Sequence, residues 1–280
     1  MQTIYSGRFT LYPIKPTFVI EMNRIDKLFQ EKQNNILAVY FTAGYPGLGD
    51  TTKVLRSLAD SGADIIEVGI PYSDPVADGP TIQASGQQAL DNGMNLKLLL
   101  EQLADIRQHT QTPIVLMGYF NTVLVYGVER FCMKCKEVGV DGLILPDLPV
   151  EEYKEKYADM FAEYGLCNIL LISPTTKEER IRQIDEISTG FLYMVSSNAI
   201  TGAKGSVEDA QEEYFKRIEA MNLKTPRLIG FGISNRQTFE RASKYASGAI
   251  IGSAFVNLLT ENEKDFDGPI REFVKEVKGL

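Results

Sequence analysis

The stretch Asp64-Ile65-Ile66-Glu67-Val68-Gly69-Ile70-Pro71-Tyr72-Ser73-Asp74-Pro75-Val76-Ala77-Asp78-Gly79-Pro80-Thr81-Ile82-Gln83 passes from an apolar run of strand length into a long loop with three prolines, two aspartates and a glycine. It is the clearest example of a unit that recurs from Asn35 onward: a short apolar run, a loop rich in Gly, Pro, Asp or Ser, then an amphipathic helix. Eight such runs are present, at 36–41, 64–69, 113–118, 141–146, 167–173, 191–196, 227–231 and 248–252. They are apolar at nearly every position, as parallel strands covered on both faces must be. Between them the spacing of Leu96, Leu99, Leu100, Leu103 and Ile106 predicts one helical stripe with Asn95 as N-cap. Capping boxes are expected at Thr175–Glu178, Ser206–Asp209 and Ser234–Gln237.

Eight βα units in about 250 residues fit a closed (β/α)₈ TIM barrel, an α/β fold of one domain. A doubly wound open sheet is the competitor, weakened by the lack of a G-x-G-x-x-G or G-x-x-x-x-G-K-[ST] loop after any strand. No linker or composition shift divides the chain, so residues 22–280 are expected to form the barrel. Residues 1–21 are read as an extension outside it. Pro13, Lys15 and Pro16 interrupt their apolar stretch and no small-residue cleavage site follows, which argues against a leader.

Of the 280 residues, 29 are Lys or Arg and 37 Asp or Glu, a net charge of −8. An acidic surface argues against nucleic acid or an anionic membrane as partner, so any anion site must be local. Cys132, Cys135 and Cys167 cannot make a disulfide framework and are read as reduced thiols of a cytoplasmic protein. No apolar run reaches the length of a membrane span.

In a barrel the chemistry collects at the carboxyl ends of the strands. Glu67 is the one charge within its apolar run. It is either a structural ion pair or rim residue, or a partly desolvated acid–base catalyst with a raised pKa. Asp78, in the long loop that follows, is the candidate for a second carboxylate over the barrel mouth; Asp74 before Pro75 could be a turn residue. Glycine and serine at Phe231-Gly232-Ile233-Ser234 and Gly252-Ser253 follow the last two strands, where backbone N–H groups hold phosphate in many barrels. The loop 196–206, with Gly202 and Gly205, could close over that site. His109 is the sole histidine, so no metal site is expected and His109 is read as a surface or capping residue. Cys132-x-x-Cys135 lies in a helical pattern without a matching pair and reads as buried thiols. None of the eight runs has an interior lysine for a Schiff base, which leaves carboxylate acid–base chemistry on a phosphorylated substrate.

The segment 66–83 closely resembles the signature of the tryptophan synthase α subunit family. Further resemblances are Tyr40-Phe41-Thr42-Ala43-Gly44-Tyr45-Pro46, Leu116-Met117-Gly118-Tyr119-Phe120-Asn121, Leu145-Pro146-Asp147-Leu148-Pro149, Gly230-Phe231-Gly232-Ile233-Ser234 and Gly252-Ser253-Ala254. The resemblance runs from about Met22 to the end. It implies a (β/α)₈ lyase that cleaves indole-3-glycerol phosphate to indole and glyceraldehyde 3-phosphate without a cofactor. Glu67 then matches the general acid/base and Asp78 the carboxylate on the indole N–H. Tyr193 matches a tyrosine near the glutamate. Tyr40, Met117, Tyr119 and Ile144 match positions lining the indole pocket, Thr201 and Phe231 further substrate contacts, and Gly202, Gly232, Gly252 and Ser253 the phosphate-binding positions. A partner is implied too: a β subunit carrying pyridoxal phosphate, in an α₂β₂ tetramer, with the segment around Asp74 on the contact surface. The loop Ser196–Gly202 departs from the pattern, since many members have an arginine near Ser197 and a glycine at Ala199, while Thr201 and Gly202 are retained. Loop closure is expected to differ more than the reaction.

Two other readings compete. Another phosphate-binding barrel enzyme, an isomerase or the synthase that makes the indole substrate, needs different strand-end residues; the synthase needs a catalytic lysine. An inactive subunit that only activates a partner has no use for a carboxylate inside an apolar strand.

Overall fold

In a computed structural model the protein is described at residues 22–75, 78–196, 207–230 and 232–280; the expected extension 1–21 lies outside these residues. Nine short parallel strands form one sheet: β1 Ile36–Thr42, β2 Ile65–Gly69, β3 Ile114–Met117, β4 Gly142–Ile144, β5 Cys167–Asn168, β6 Leu171–Ile172, β7 Leu192–Val195, β8 Arg227–Gly230 and β9 Gly248–Ile251. Their order is β5-β4-β3-β2-β1-β9-β8-β7-β6. The two ends of this sheet, β5 and β6, are consecutive halves of the fifth expected run. Ile169 N–H donates to Leu143 O (3.0 Å) on the β4 side, and Leu170 O accepts from Tyr193 N–H (2.9 Å) on the β7 side. One continuous segment thus changes neighbour midway and closes the sheet into the expected barrel, without a free edge.

The two-residue alternation of strands divides the apolar residues into two cores. Ile36, Ala38, Ile65, Val115, Tyr193, Leu228 and Ile250 face inward and fill the barrel. Leu37, Val39, Phe41, Ile66, Val68, Leu116 and Met194 face outward against the helices. That is why the runs read as apolar on both faces. The lower end of the barrel is stoppered by the helix Arg24–Glu31, whose Ile25 and Phe29 enter the inner core, with Phe29 6.0 Å from the Phe191 ring. Asn23 caps this helix by accepting from Ile25 N–H (2.8 Å), and its amide donates to Asp141 O and Gly165 O (both 2.8 Å).

Local expectations fare unevenly. Asn95 does cap the helix Leu96–Gln102, accepting from Leu98 N–H (3.1 Å), but the helix ends there and Ile106 lies on a separate 3₁₀ turn, Ile106–Gln108. The stripe is buried throughout. The box at Thr175–Glu178 does not form. Its hydroxyls are engaged elsewhere: Thr175 with Ser173 Oγ (3.0 Å), Thr176 with Ser173 N–H (3.0 Å), so the helix Glu178–Ile187 begins without a side-chain cap. The box expected at Ser234–Gln237 is displaced by one residue, to Asn235 and Thr238, where Asn235 Oδ1 accepts from Thr238 N–H (3.0 Å) and Thr238 Oγ1 accepts from Asn235 N–H (3.1 Å). Ser206 lies outside the described residues.

The lower rim depends on one buried carboxylate. Asp141 accepts from Arg24 Nη1 (2.9 Å), Arg107 Nη2 (2.5 Å) and Ile114 N–H (2.8 Å), joining the stopper helix, the 3₁₀ turn and β3. Arg107 also donates to Gly139 O and Thr112 O. Removing Asp141 leaves two guanidinium groups without their anion and a β3 N–H without its acceptor. Asp141→Ala is therefore expected to destabilise the protein by about 3–5 kcal/mol. Urea unfolding measures it; a loss below about 1 kcal/mol would show that the cluster behaves like an exposed ion pair.

Candidate active site

Glu67 stands on β2 in register with Tyr40 on β1 and Val115 on β3. Two residues after the inward-facing Ile65, its side chain points into the barrel. It has no exposed surface, and neither carboxyl oxygen has a hydrogen-bond partner among the described residues. Desolvation alone pushes its pKa up to about 8, so at neutral pH it is mostly a protonated acid and yet within easy reach of its conjugate base. The ion-pair alternative of the sequence reading finds no support: among the described residues no cation meets Glu67.

Above it, Tyr40 and Tyr193 lie over glycines. A Cβ at Gly69 would collide with the Tyr40 hydroxyl, and one at Gly230 with the ring and hydroxyl of Tyr193. Each glycine follows an inward-facing position by two residues, so it clears room in the upper layer for an aromatic ring. Burial raises both phenols far above their ordinary range, which leaves Glu67 as the proton carrier at neutral pH. Asp78 is half-buried. Desolvation raises its pKa, and a hydrogen bond from Tyr119 acts in the opposite direction. Tyr119 in turn stacks on Tyr72, with ring centroids 4.7 Å apart.

A cavity of about 240 Å³ opens at this end of the barrel. Tyr40, Asp78, Met117 and Tyr193 contribute side chains to its wall; Gly232, Gly252 and Ser253 contribute the two loops expected to hold an anion. Glu67 lies beneath the wall, interacting electrostatically with both tyrosines. Tyr119 joins through Asp78. Ile144 belongs instead to the inner core with Val115 and Tyr193 and is fully buried. Thr201, Gly202, Phe231, Ser197 and Ala199 lie outside the described residues. The sequence reading missed Ile82, Ile233 and Ala254 in the wall, and it missed Gly69 and Gly230. Glycine at an inward strand position is a signal of close approach that was available in the sequence.

The two anion loops are not equivalent. Ser234 and Asn235 N–H groups both donate to Thr238 Oγ1 (3.0 and 3.1 Å), and Asn235 caps the helix Arg236–Ser243 with its own side chain. That helix start is already satisfied, and the loop before it turns at Gly232 with φ +75°. The helix Ser253–Glu261 has no side-chain cap. Its first intrahelical bond is Val256 N–H to Gly252 O (3.0 Å), so the N–H groups of Ser253, Ala254 and Phe255 are left to meet an anion at the positive end of the helix dipole.

The remaining sequence candidates are placed as follows. His109 is exposed at the end of the 3₁₀ turn. Cys132 and Cys135 are buried in the helix Val128–Val138, with burial pushing the first thiol up to about 12 and the second well above its ordinary value. They are inert core residues. Among the described residues, no cluster of three or more His, Cys, Asp or Glu could hold a metal ion, and no helix is long and apolar enough to cross a membrane.

The buried acid has a thermodynamic consequence. A carboxyl raised from 4.5 in the unfolded chain to about 8 in the native state binds its proton more tightly when folded, so stability is full below pH 4.5 and falls as pH rises toward 8. The loss from this group is on the order of 4 kcal/mol. Glu67→Gln is expected to abolish it: the variant and the parent should differ little at pH 4.5, and the variant should be the more stable at pH 8. Urea midpoints at the two pH values measure this, and a difference independent of pH would refute it.

The sequence matches the family described as tryptophan synthase alpha chain over residues 26–278. The tryptophan synthase alpha chain of Flavobacterium psychrophilum is 55% identical over 256 residues, covering 91% of this chain and all of that one; that of Christiangramia forsetii is 52% identical over 259 residues, with 92% and 100% covered. The crystal structure of the alpha subunit from Legionella pneumophila superposes with a TM-score of 0.82 at 32% identity, covering 92% of this chain and 98% of that chain. A chain of the tryptophan synthase complex from Pyrococcus furiosus gives 0.79 at 34%, covering 89% and 100%. Likeness of this extent, on a barrel with a buried acid beneath an anion-ready mouth, shows that the chain belongs to the tryptophan synthase alpha chain family, the lyases that cleave indole-3-glycerol phosphate to indole and glyceraldehyde 3-phosphate in tryptophan biosynthesis.

Proposed function

We propose that Glu67 and Asp78 divide the acid–base work of this cleavage. The observation that carries the reading is the Glu67 carboxyl, wholly buried and without a hydrogen-bond partner among the described residues, so that desolvation pushes its pKa up to about 8. Breaking the bond between the indole ring and the glycerol carbon needs a proton at indole C3, because the bare ring carbon is a poor leaving group. Protonated Glu67 delivers it while Asp78 accepts the ring N–H proton, giving the indolenine tautomer. The Glu67 carboxylate then takes the hydroxyl proton of the adjacent carbinol. That oxygen becomes the aldehyde of glyceraldehyde 3-phosphate, the carbon–carbon bond breaks, its electron pair restores the ring, and Asp78 returns the proton to nitrogen. Glu67 ends the cycle protonated. Positioned acid–base catalysis of this kind contributes about 10²–10⁴-fold.

Tyr40, Met117, Tyr119 and Tyr193 form the surroundings of the indole ring, with Ile144 supporting them from the inner core. Gly232, Gly252 and Ser253 hold the phosphate with backbone N–H groups, and Thr201, Gly202 and Phe231 complete the substrate contacts. The family has no cofactor of its own and works with a beta subunit. For this chain we read the partner as a pyridoxal-phosphate β subunit in an α₂β₂ tetramer that receives indole, in the cytoplasm. Asp74, held by Ser73 Oγ (2.6 Å), lies at the barrel end to which the partner would bind. On the helix Phe120–Tyr126, starting at the same end, Leu124 and Val125 are 48% and 84% exposed, an apolar surface suited to that contact.

Indole release from indole-3-glycerol phosphate by the purified chain, with and without a β subunit, tests the reading. Activity is expected alone, to rise with the partner, and to fall at least about 10²-fold in Glu67→Gln. Parental turnover in that variant would eliminate the mechanism; no rise with the partner would eliminate the docking assignment.

A further inference from the structure

We propose that Tyr72 is a positioning residue for the cleavage, holding the Tyr119 hydroxyl on Asp78 by stacking against the outer face of the Tyr119 ring. The inference rests on the role given above to Asp78. Tyr72 follows β2 in the same loop as Asp78, and Tyr119 follows β3, so the contact ties the two loops across the barrel mouth. The rings are 4.7 Å apart at 25°, a stacked pair. Tyr119 is 8% exposed and Tyr72 partly exposed, so Tyr72 is the cover and Tyr119 the covered ring. On the far side, the Tyr119 hydroxyl bonds the Asp78 side chain. A second tie comes from Asn121, whose amide donates to the Tyr72 hydroxyl over a long 3.5 Å.

The chemistry of Asp78 makes this arrangement consequential. To accept the indole N–H proton, Asp78 must enter the reaction as a carboxylate, yet its half-buried site favours the neutral acid. Among the described residues, the other titratable groups sharing its surroundings are Glu67 and the phenols Tyr40 and Tyr193, all acids that give it no cation. Among the described residues, a hydrogen bond donated by Tyr119 is the influence that favours the charged form. If Tyr72 is cut back, the Tyr119 ring gains freedom, the bond loosens and the ionised fraction of Asp78 falls. Substrate binding through the phosphate loops is untouched, so kcat suffers and KM does not.

The experiment is the pH dependence of kcat and KM for indole release by the full chain as Tyr72→Leu, Tyr72→Phe, Tyr119→Phe and Asp78→Asn variants, each checked for parental thermal unfolding. Tyr72→Leu and Tyr119→Phe are expected to lower kcat about tenfold, hold KM within about twofold, and move the acid limb of the kcat profile to higher pH. Tyr72→Phe keeps the ring, loses only the long Asn121 contact, and should restore all three. The proposal is overturned if Tyr72→Leu keeps the parental profile or raises KM alone, as a plain pocket wall would. Asp78→Asn separates the two levels. Loss of kcat there with a parental Tyr72→Leu rejects the positioning role only, whereas parental kcat in Asp78→Asn rejects the role of Asp78 and the positioning role with it.

Discussion

Burying the Glu67 carboxyl where neither oxygen has a partner opposes folding, and the rest of the barrel has to offset that cost. The chain meets it by keeping the group neutral: with a pKa of about 8, Glu67 is folded as an acid rather than as an anion. The same desolvation that would unfold a charged Glu67 is what makes it able to give a proton to carbon at neutral pH. Stability and catalysis are set by one term, and they pull in opposite directions as pH rises.

The frame around this residue is correspondingly rigid. Closure through 167–172 leaves no sheet edge, the stopper helix fills the lower interior, and Asp141 binds the lower rim together through Arg24 and Arg107. With the floor fixed, the upper layer can be hollow. Glycines 69 and 230 provide the space that Tyr40 and Tyr193 occupy, and the uncapped helix start at Ser253 keeps its donors open. An overall charge of −8 does not hinder an anion held in this way, because backbone dipoles need no basic surface.

Much of this was legible in the sequence. Runs apolar on both faces identified parallel strands, and a lone Glu67 among them stood out because a carboxylate buried there unpaired is costly. What was hidden depended on competition between local hydrogen bonds. Thr175 was free to cap a helix by its spacing but bonds Ser173 instead, and Thr238, not Gln237, answers the cap. Which helix start after β8 or β9 stays open for phosphate follows from that choice and from no periodicity. The break in the fifth strand likewise reflects barrel closure, a long-range event.

The central claim is that Glu67 is a neutral acid in the resting protein. Its most direct measurement is the carboxyl ¹³C chemical shift of Glu67 followed by NMR across a pH titration of the folded protein, with Glu67→Gln locating the resonance. A single transition near pH 8 is predicted. A midpoint in the ordinary glutamate range, about 4.3, would contradict the account.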